Sequence, residues 1–255
     1  MATKQAPARR KPPAPQAPKR RGEPTRGSRR TLALVAGGAL LVAAVLIGVS
    51  VLGARGGDEP APVATVDPSY LSGIEQDGRF LGSPDAPFTL IEYADVQCSF
   101  CGDYAEDVLP GLVERYVREG TLRLEYRGLA FLGEDSRTGL EAALAAGQQD
   151  RLWHMLDGLY AQQRDANSGW LTDELVREVA AVTPALDVER LQRDRSAGGF
   201  DDEIARLSDQ ARIDGVPGTP HFLIAPRTGG TPTPLQVTSL TLDAFTQALD
   251  AVIEQ

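Results

Sequence analysis

Cysteine and histidine are scarce in this chain. Its 255 residues include two cysteines, Cys98 and Cys101, and two histidines, His154 and His221. A small secreted domain held together by disulfides would carry several cysteines at varied spacings, so a disulfide framework is excluded. A tetrahedral zinc site needs four ligands. These four residues would all have to meet at one point to supply them, so the composition argues against a zinc protein.

Basic residues are also scarce outside the first 30 positions. The chain has 26 basic and 35 acidic residues, and ten of the basic residues but only one acidic residue lie in 1–30. The rest of the chain therefore has 16 basic and 34 acidic residues, a net charge of −18. An acidic body repels phosphate groups, so the folded part is not expected to bind nucleic acid. Residues 1–30 show no apolar period and are rich in Pro, Ala, Lys and Arg. They are predicted to form a disordered basic tail.

One long apolar run follows the tail. Residues 31–54 contain no charged residue, and about 20 apolar residues suffice to cross a bilayer as a helix. A cleaved signal peptide is the alternative, although its apolar region is usually only about 7–15 residues long. We expect an uncleaved transmembrane helix and, without a nearby cysteine, no lipid anchor.

The position of the basic tail before this run predicts the orientation of the chain. Positive charge favours the cytoplasmic side, so the N-terminus is expected to be cytoplasmic and the body extracytoplasmic, in contact with the lipid bilayer only through its anchor. Residues 55–69 are rich in Gly and Pro and are predicted to be a linker. Outside the cytoplasm disulfides can form and persist.

The remaining residues, 70–255, alternate between strand and helix patterns. Strands are predicted at 87–94, 121–127, 220–225 and 234–238. Helices are predicted at 102–119, interrupted at Pro110, and at 241–254, capped by Thr241. Residues 136–208 are helical in pattern, with breaks near 165–170 and at Thr183-Pro184. The order β-α-β, helical block, β-β-α predicts a small α/β layer with a helical insertion at about 136–208.

The pair Cys98 and Cys101 lies between the first of these strands and the first of these helices. The free N–H groups and the helix dipole at a helix N-terminus stabilise an anion, which lowers the pKa of such a thiol from ~8.5 to ~3.5–7.5. Cys98 is therefore a candidate nucleophile, and Cys101, one turn further on, can form a disulfide with it. A half zinc site and an inert structural disulfide are the alternative interpretations.

A second motif, GVPGTP at 215–220, stands directly before an apolar strand. Pro220 at the start of a strand, after a turn that contains glycine, is a candidate for a cis peptide bond. An ordinary proline at a loop-to-strand junction is the alternative.

Five sequence runs together resemble the DsbA-like branch of the thioredoxin superfamily. They are GSPDAPFTLIEYADVQCSFC, LPGLVERYVREG, LRLEYRGL, AALAAGQQDRLWHMLDGLYAQQ and GVPGTPHFLI, and the likeness covers about residues 78–255. The resemblance implies a thioredoxin-like α/β fold with an inserted helical domain, here preceded by the disordered tail and one transmembrane helix. It implies that Cys98 attacks, that Cys101 resolves, and that Pro220 is cis and faces the pair. Thr219 is then expected to offer backbone hydrogen bonds to an extended substrate.

The resemblance also assigns a role to Glu92, six residues before Cys98. It implies a buried acid that exchanges a proton with Cys101, whereas the alternation around Glu92 by itself predicts a surface residue. Asp95 matches a family position and is expected only to order the turn before Cys98. His221 is either close to the sulfur atoms or exposed on its strand, and His154 is interpreted as a packed helical residue.

The predicted function is thiol–disulfide exchange that forms disulfides in extracytoplasmic proteins. Ser99 and Phe100 replace the Pro-His dipeptide of strongly oxidising relatives, which leaves the direction of electron flow open. A reductase or isomerase of the same fold is one alternative, and a tethered binding module with a structural disulfide is another. No organic cofactor or metal is expected, since the cysteine pair carries the electrons. Reduced or unfolded proteins are the expected substrates, and the resemblance implies an integral-membrane partner, linked to quinone, that reoxidises the pair.

Overall fold

A computed structural model describes residues 68–196 and 198–254. The basic tail, the transmembrane segment and nearly all of the linker predicted above lie outside these residues. Within them, no helix combines the length and the apolar character needed to cross a bilayer. The described chain begins with a short 3-10 helix, Pro68–Leu71.

A six-stranded mixed sheet forms the centre of the described part. Its strands are β1 (Gln76–Asp77), β2 (Phe80–Leu81), β3 (Phe88–Ala94), β4 (Leu122–Gly128), β5 (His221–Pro226) and β6 (Thr233–Pro234). The spatial order is β1-β2-β4-β3-β5-β6. β3 and β4 run parallel, and the other neighbouring pairs are antiparallel. β3, which leads into the cysteine pair, therefore lies in the interior of the sheet between β4 and β5.

Some of the described helices belong to the insertion and the others to the rest of the domain. They are α1 (Ser99–Asp107), α2 (Leu109–Leu112) with a π-helical turn (Val113–Val117), α3 (Glu134–Gly147), α4 (Leu152–Tyr160), α5 (Asp173–Val182), α6 (Val188–Ser196), α7 (Asp201–Ile213) and α8 (Leu242–Ile253). The helical insertion runs from α3 to α7, between β4 and β5. It is somewhat longer than the predicted block.

Helices cover both faces of the sheet. On one face, the rings of Tyr104 in α1, Phe222 in β5 and Phe245 in α8 pack with centroids 4.7–5.3 Å apart. On the other face, Ile91 and Tyr93 pack in one cluster with Ala211 of α7. Because successive side chains of a strand alternate between faces, β3 is buried on both sides.

Several local predictions are confirmed at nearly the expected positions. The first, second and third predicted strands are β3, β4 and β5, each within one residue of its predicted bounds. The helix is interrupted where predicted: α1 ends at Asp107 and α2 restarts with Pro110 in its first turn. Thr241 caps α8, because its hydroxyl accepts a hydrogen bond from the Ala244 N–H.

Other predictions are wrong or incomplete. The first helix starts at Ser99 and not at Gly102, and the strand predicted at 234–238 shrinks to Thr233–Pro234. β1 and β2 were not predicted, because strands of two residues are too short to show a period of two. The insertion also breaks at 148–151, where Asp150 adopts a φ of 56°, a left-handed conformation that ends a helix.

Candidate active site

Cys98 sits where β3 gives way to α1. Cys98 is the N-cap of α1, with an extended backbone, and its carbonyl accepts hydrogen bonds from the N–H groups of Cys101 and Gly102 at 3.0 and 3.1 Å. The sulfur atom of a residue at this position lies against the free N–H groups of the first helical turn. Cys98 is half-buried, whereas Cys101 is fully buried.

The two thiols have opposite acidities. A hydrogen bond from the Cys101 thiol is the largest cause that lowers the pKa of Cys98 to about 6, with further help from the N–H groups of Phe100 and Cys101, against partial burial. Burial raises the pKa of Cys101 far above its ordinary value, and the Cys98 sulfur adds to this. Near pH 7 Cys98 is therefore mainly a thiolate and Cys101 a neutral thiol. An inert structural pair would not show this difference.

The loop before β5 lies against Cys98. The Thr219–Pro220 peptide bond is cis, as the resemblance implied. The neutral Cys98 thiol donates a hydrogen bond to the Thr219 carbonyl oxygen at 3.3 Å. The sheet explains this contact, because β5 begins at His221 and pairs with Tyr93 near the end of β3. The two motifs identified from the sequence thus meet in one place.

The two residues between the cysteines point outward. Ser99 is exposed, and Phe100 is 61% exposed, a high value for a large apolar side chain. An aromatic ring presented to solvent beside a nucleophile offers an apolar contact to a protein substrate.

Glu92 lies beneath the active site in the interior of the domain. It is 4% exposed and pairs across the sheet with Phe222, so it faces the same side as α1. Burial raises the pKa of Glu92 from 4.5 to about 8, and the Glu92 charge contributes to the raised pKa of Cys101. The surface position suggested by the alternation is wrong, because helices also cover the face of β3 that carries Glu92, where it lies beside Ala105 of α1.

Asp95 orders the turn before Cys98, as expected. Its buried carboxylate accepts hydrogen bonds from the N–H of Gln97 at 2.9 Å and from the hydroxyl of Ser136 at 2.6 Å. It also accepts from the N–H groups of Phe131 and Leu132, at 3.1 and 3.2 Å. One carboxylate therefore joins the active-site turn to the loop after β4 and to the first helix of the insertion.

Sequence reasoning missed two glutamines at this turn. The Gln97 side chain donates to the Ser136 hydroxyl at 2.8 Å and accepts from the Asn167 N–H at 2.7 Å. The side chain of Gln163 donates to the carbonyl of Cys98. No local pattern marks either residue, since each acts through contacts that only the folded insertion creates.

The two histidines take different positions. His154 hydrogen-bonds to the Gln76 side chain at 2.8 Å on a helix of the insertion, which agrees with a packed helical residue. His221 is partly buried, and burial lowers its pKa from 6.5. A histidinium that stabilises the Cys98 thiolate is therefore not favoured near pH 7. In residues 68–196 and 198–254, no three His, Cys, Asp or Glu side chains are grouped so as to hold a metal ion.

Comparisons with known proteins show which family the chain resembles. Residues 75–250 match the Thioredoxin family. A probable disulfide bond formation protein D of Bacillus anthracis is 32% identical over 147 residues, which are 56% of this chain and 68% of that protein. Oxidised BdbD from Bacillus subtilis matches 71% of this chain and 98% of its own, with a TM-score of 0.61 at 20% identity. DsbA from Chlamydia trachomatis matches 69% of this chain and 91% of its own, with a TM-score of 0.59 at 17% identity.

The two solved structures share the fold, and the family match spans the strand, the cysteine pair and the cis-proline loop described above. The chain therefore belongs to the thioredoxin family, in its DsbA-like branch, and is a thiol–disulfide oxidoreductase.

Proposed function

We propose that this protein oxidises pairs of thiols in extracytoplasmic proteins to disulfides, and that substrates enter through Cys98. The observation that carries the proposal is the low pKa of Cys98, about 6, next to the raised pKa of Cys101. A stabilised Cys98 thiolate favours the reduced form of the enzyme. A disulfide whose reduced form is stabilised is a strong oxidant, so it is readily transferred to other proteins.

The reaction begins with the Cys98–Cys101 disulfide. A substrate thiolate attacks the Cys98 sulfur, a bond forms between the two sulfur atoms, and the Cys98–Cys101 bond breaks with its electron pair on Cys101. A second substrate thiolate then attacks the substrate sulfur of this mixed disulfide and releases Cys98 as a thiolate. The substrate has lost two electrons to the cysteine pair and gained a disulfide.

Glu92 supplies the proton that the first step needs. A Cys101 thiolate is costly in its buried position, so Cys101 must be protonated as it leaves. With a pKa of about 8, the Glu92 carboxyl is mainly neutral near pH 7 and can donate a proton. In the return direction, when the pair is reoxidised, the same group accepts the proton.

The loop at Thr219 and the exposed ring of Phe100 form the surface that receives the substrate. The Thr219 backbone stands at the edge of the site, where an extended segment can pair with it in the manner of an added strand. Phe100 contributes an apolar contact that does not require one particular sequence. Such a surface suits unfolded proteins of many sequences.

The site of action follows from the first 69 residues of the sequence. Residues 31–54 anchor the protein in the membrane, the tail of residues 1–30 stays in the cytoplasm, and the linker holds the enzyme domain outside. An integral-membrane partner linked to quinone accepts the two electrons and restores the disulfide. The redox-active pair itself carries the electrons, so no bound organic cofactor or metal takes part.

The equilibrium reduction potential of the Cys98–Cys101 pair in the full chain, titrated against glutathione, tests this proposal. A potential near about −120 mV is typical of a strong disulfide donor, whereas about −270 mV is typical of thioredoxin, which donates electrons. We expect a reduction potential close to that of a strong disulfide donor. A potential close to that of thioredoxin would reverse the direction of electron flow and favour the reductase.

A further inference from the structure

Gln163 lies in the helical insertion, just after α4, and reaches the turn that carries the nucleophile. Its backbone N–H is bonded to the Tyr160 carbonyl at 3.0 Å, which places it one turn beyond the helix end. Its side-chain amide donates two hydrogen bonds, to the carbonyl oxygens of Val96 at 2.9 Å and of Cys98 at 3.0 Å. One amide group thus bridges two carbonyls of the turn from 96 to 98.

These two bonds act on the backbone of the nucleophile. The Cys98 carbonyl also accepts the N–H groups of Cys101 and Gly102 at the start of α1. Gln163 therefore completes the set of donors that fixes the Cys98 peptide against the helix N-terminus. The hydrogen bonds that lower the pKa of the Cys98 thiol require this placement, because hydrogen bonds weaken steeply when their geometry is lost.

Gly102 gives independent evidence that the Gln163 side chain occupies the space next to the start of α1. Gly102 lies in the first turn of α1, and its φ is not in the left-handed region, so its backbone does not require glycine. A Cβ atom at this position would lie 2.6 Å from the Gln163 side-chain oxygen. Alanine is a better helix former than glycine, so the absence of a side chain here leaves room for the amide.

We propose that Gln163 is a positioning residue: the helical insertion uses it to hold the Cys98 turn, and it thereby sets the acidity and the redox potential of the cysteine pair. The inference rests on the proposed function in one respect, the identity of Cys98 as the nucleophile. Gln163 does not touch the reacting sulfur atoms. Its effect passes through the backbone of Val96 and Cys98.

The first test compares two glutamines of the insertion that make the same number of bonds. Gln149 also makes two side-chain hydrogen bonds to backbone, to the carbonyl and N–H of Asp187, away from the cysteines. Gln163→Leu and Gln149→Leu in the full chain should both lower the thermal midpoint. Only Gln163→Leu should move the Cys98 thiolate titration, read by ultraviolet absorbance, upwards by about one pH unit, the size of one lost hydrogen bond.

The reduction potential should move in the same selective way. With the thiolate less stabilised, the reduced form is less favoured, so the potential of Gln163→Leu should become more negative while that of Gln149→Leu stays unchanged.

Gln163→Glu should make the exchange rate depend on pH in a way that the native protein does not show. Its neutral carboxyl can donate one hydrogen bond, but its ionised form repels both carbonyls, so its deficit in exchange rate should grow as the pH rises.

Gly102→Ala perturbs the same contact from the other side. In the native background it should displace the amide and shift the Cys98 titration as Gln163→Leu does. In a Gln163→Ala background it should raise the thermal midpoint, because the helix gains alanine and no amide is displaced.

The outcomes separate the inference from the proposed function. If both leucine variants lose stability and neither moves the titration or the potential, Gln163 is structural only and the inference is overturned. If native Cys98 titrates like an ordinary thiol, the proposed function fails instead.

Discussion

Replacing Glu92 with glutamine removes a buried carboxyl group whose ionisation the fold opposes. Glu92 is 4% exposed in the central strand β3, and burial raises its pKa from 4.5 to about 8. Glutamine has nearly the same shape and cannot ionise. The difference in the free energy of unfolding between the native protein and the variant therefore measures the cost of burying an ionisable carboxyl group.

The size of the effect follows from linkage between protonation and folding. Below pH 4.5 the carboxyl is neutral in both the folded and the unfolded chain and costs nothing. Between pH 4.5 and about 8 the unfolded chain releases a proton that the folded chain keeps, so the free energy of unfolding falls as the pH rises. With about 1.4 kcal/mol for each pH unit, the loss is about 3 kcal/mol at pH 7 and about 5 kcal/mol above pH 8.

Denaturant unfolding of the reduced full-length protein, measured from pH 4 to pH 9, tests this reasoning. The native protein and Glu92→Gln should have similar free energies of unfolding at pH 4 and should diverge as the pH rises, with the variant more stable. Glu75→Gln, at an exposed position, is the control and should follow the native curve. Parallel curves for native and Glu92→Gln across this range would refute a raised pKa at Glu92.

Three further predictions concern the active-site turn. Cys98→Ala should abolish exchange with a reduced, unfolded protein, measured as loss of free thiols, and retained exchange would remove Cys98 as the nucleophile. Cys101→Ala should accumulate a mixed disulfide when it is incubated with an oxidised, disulfide-containing protein. The Cys98 thiolate attacks the substrate disulfide and releases one substrate thiolate, and no Cys101 thiol is present to displace the substrate that stays bound. This adduct should appear on a non-reducing gel and vanish with reductant, and its absence would contradict the assigned order of attack. Asp95→Asn should cost about 3 kcal/mol of unfolding free energy, since a buried acceptor of four hydrogen bonds is weakened. The exposed Asp103→Asn is its control, and equal denaturation midpoints would contradict a role in ordering the turn.

Local patterns were sufficient to predict the centre of the fold. A strand rich in β-branched and aromatic residues, a cysteine pair and a helix appear in direct succession, so their junction needs no knowledge of tertiary structure. The cis proline was also predictable as a candidate, because Pro220 follows a glycine-containing turn and opens a strand. Its placement against the cysteine pair came only from the family resemblance, since Cys98 and Thr219, which make the contact, are 121 positions apart.

Burial and tertiary contacts were beyond the reach of such patterns. A polar residue between apolar neighbours, such as Glu92, predicts a half-exposed strand unless it is known that helices cover both faces of the sheet. Gln163 lies 65 residues after Cys98 and belongs to no motif, so only the folded insertion brings it to the turn. The short strands β1 and β2 carry too few residues to show any periodicity.

The acidity of Cys98 shows why the dipeptide between the cysteines is an incomplete guide to the direction of electron flow. Ser99 and Phe100 supply no imidazole, and both side chains are exposed, yet the pKa of Cys98 is lowered to about 6. The groups responsible are first the Cys101 thiol and then the N–H groups of Phe100 and Cys101. These two backbone donors do not depend on which side chains occupy positions 99 and 100. The opposite shift at Cys101 arises mainly from burial. The difference between the two sulfur atoms is thus built into the junction of strand and helix, and a dipeptide without histidine remains compatible with an oxidant.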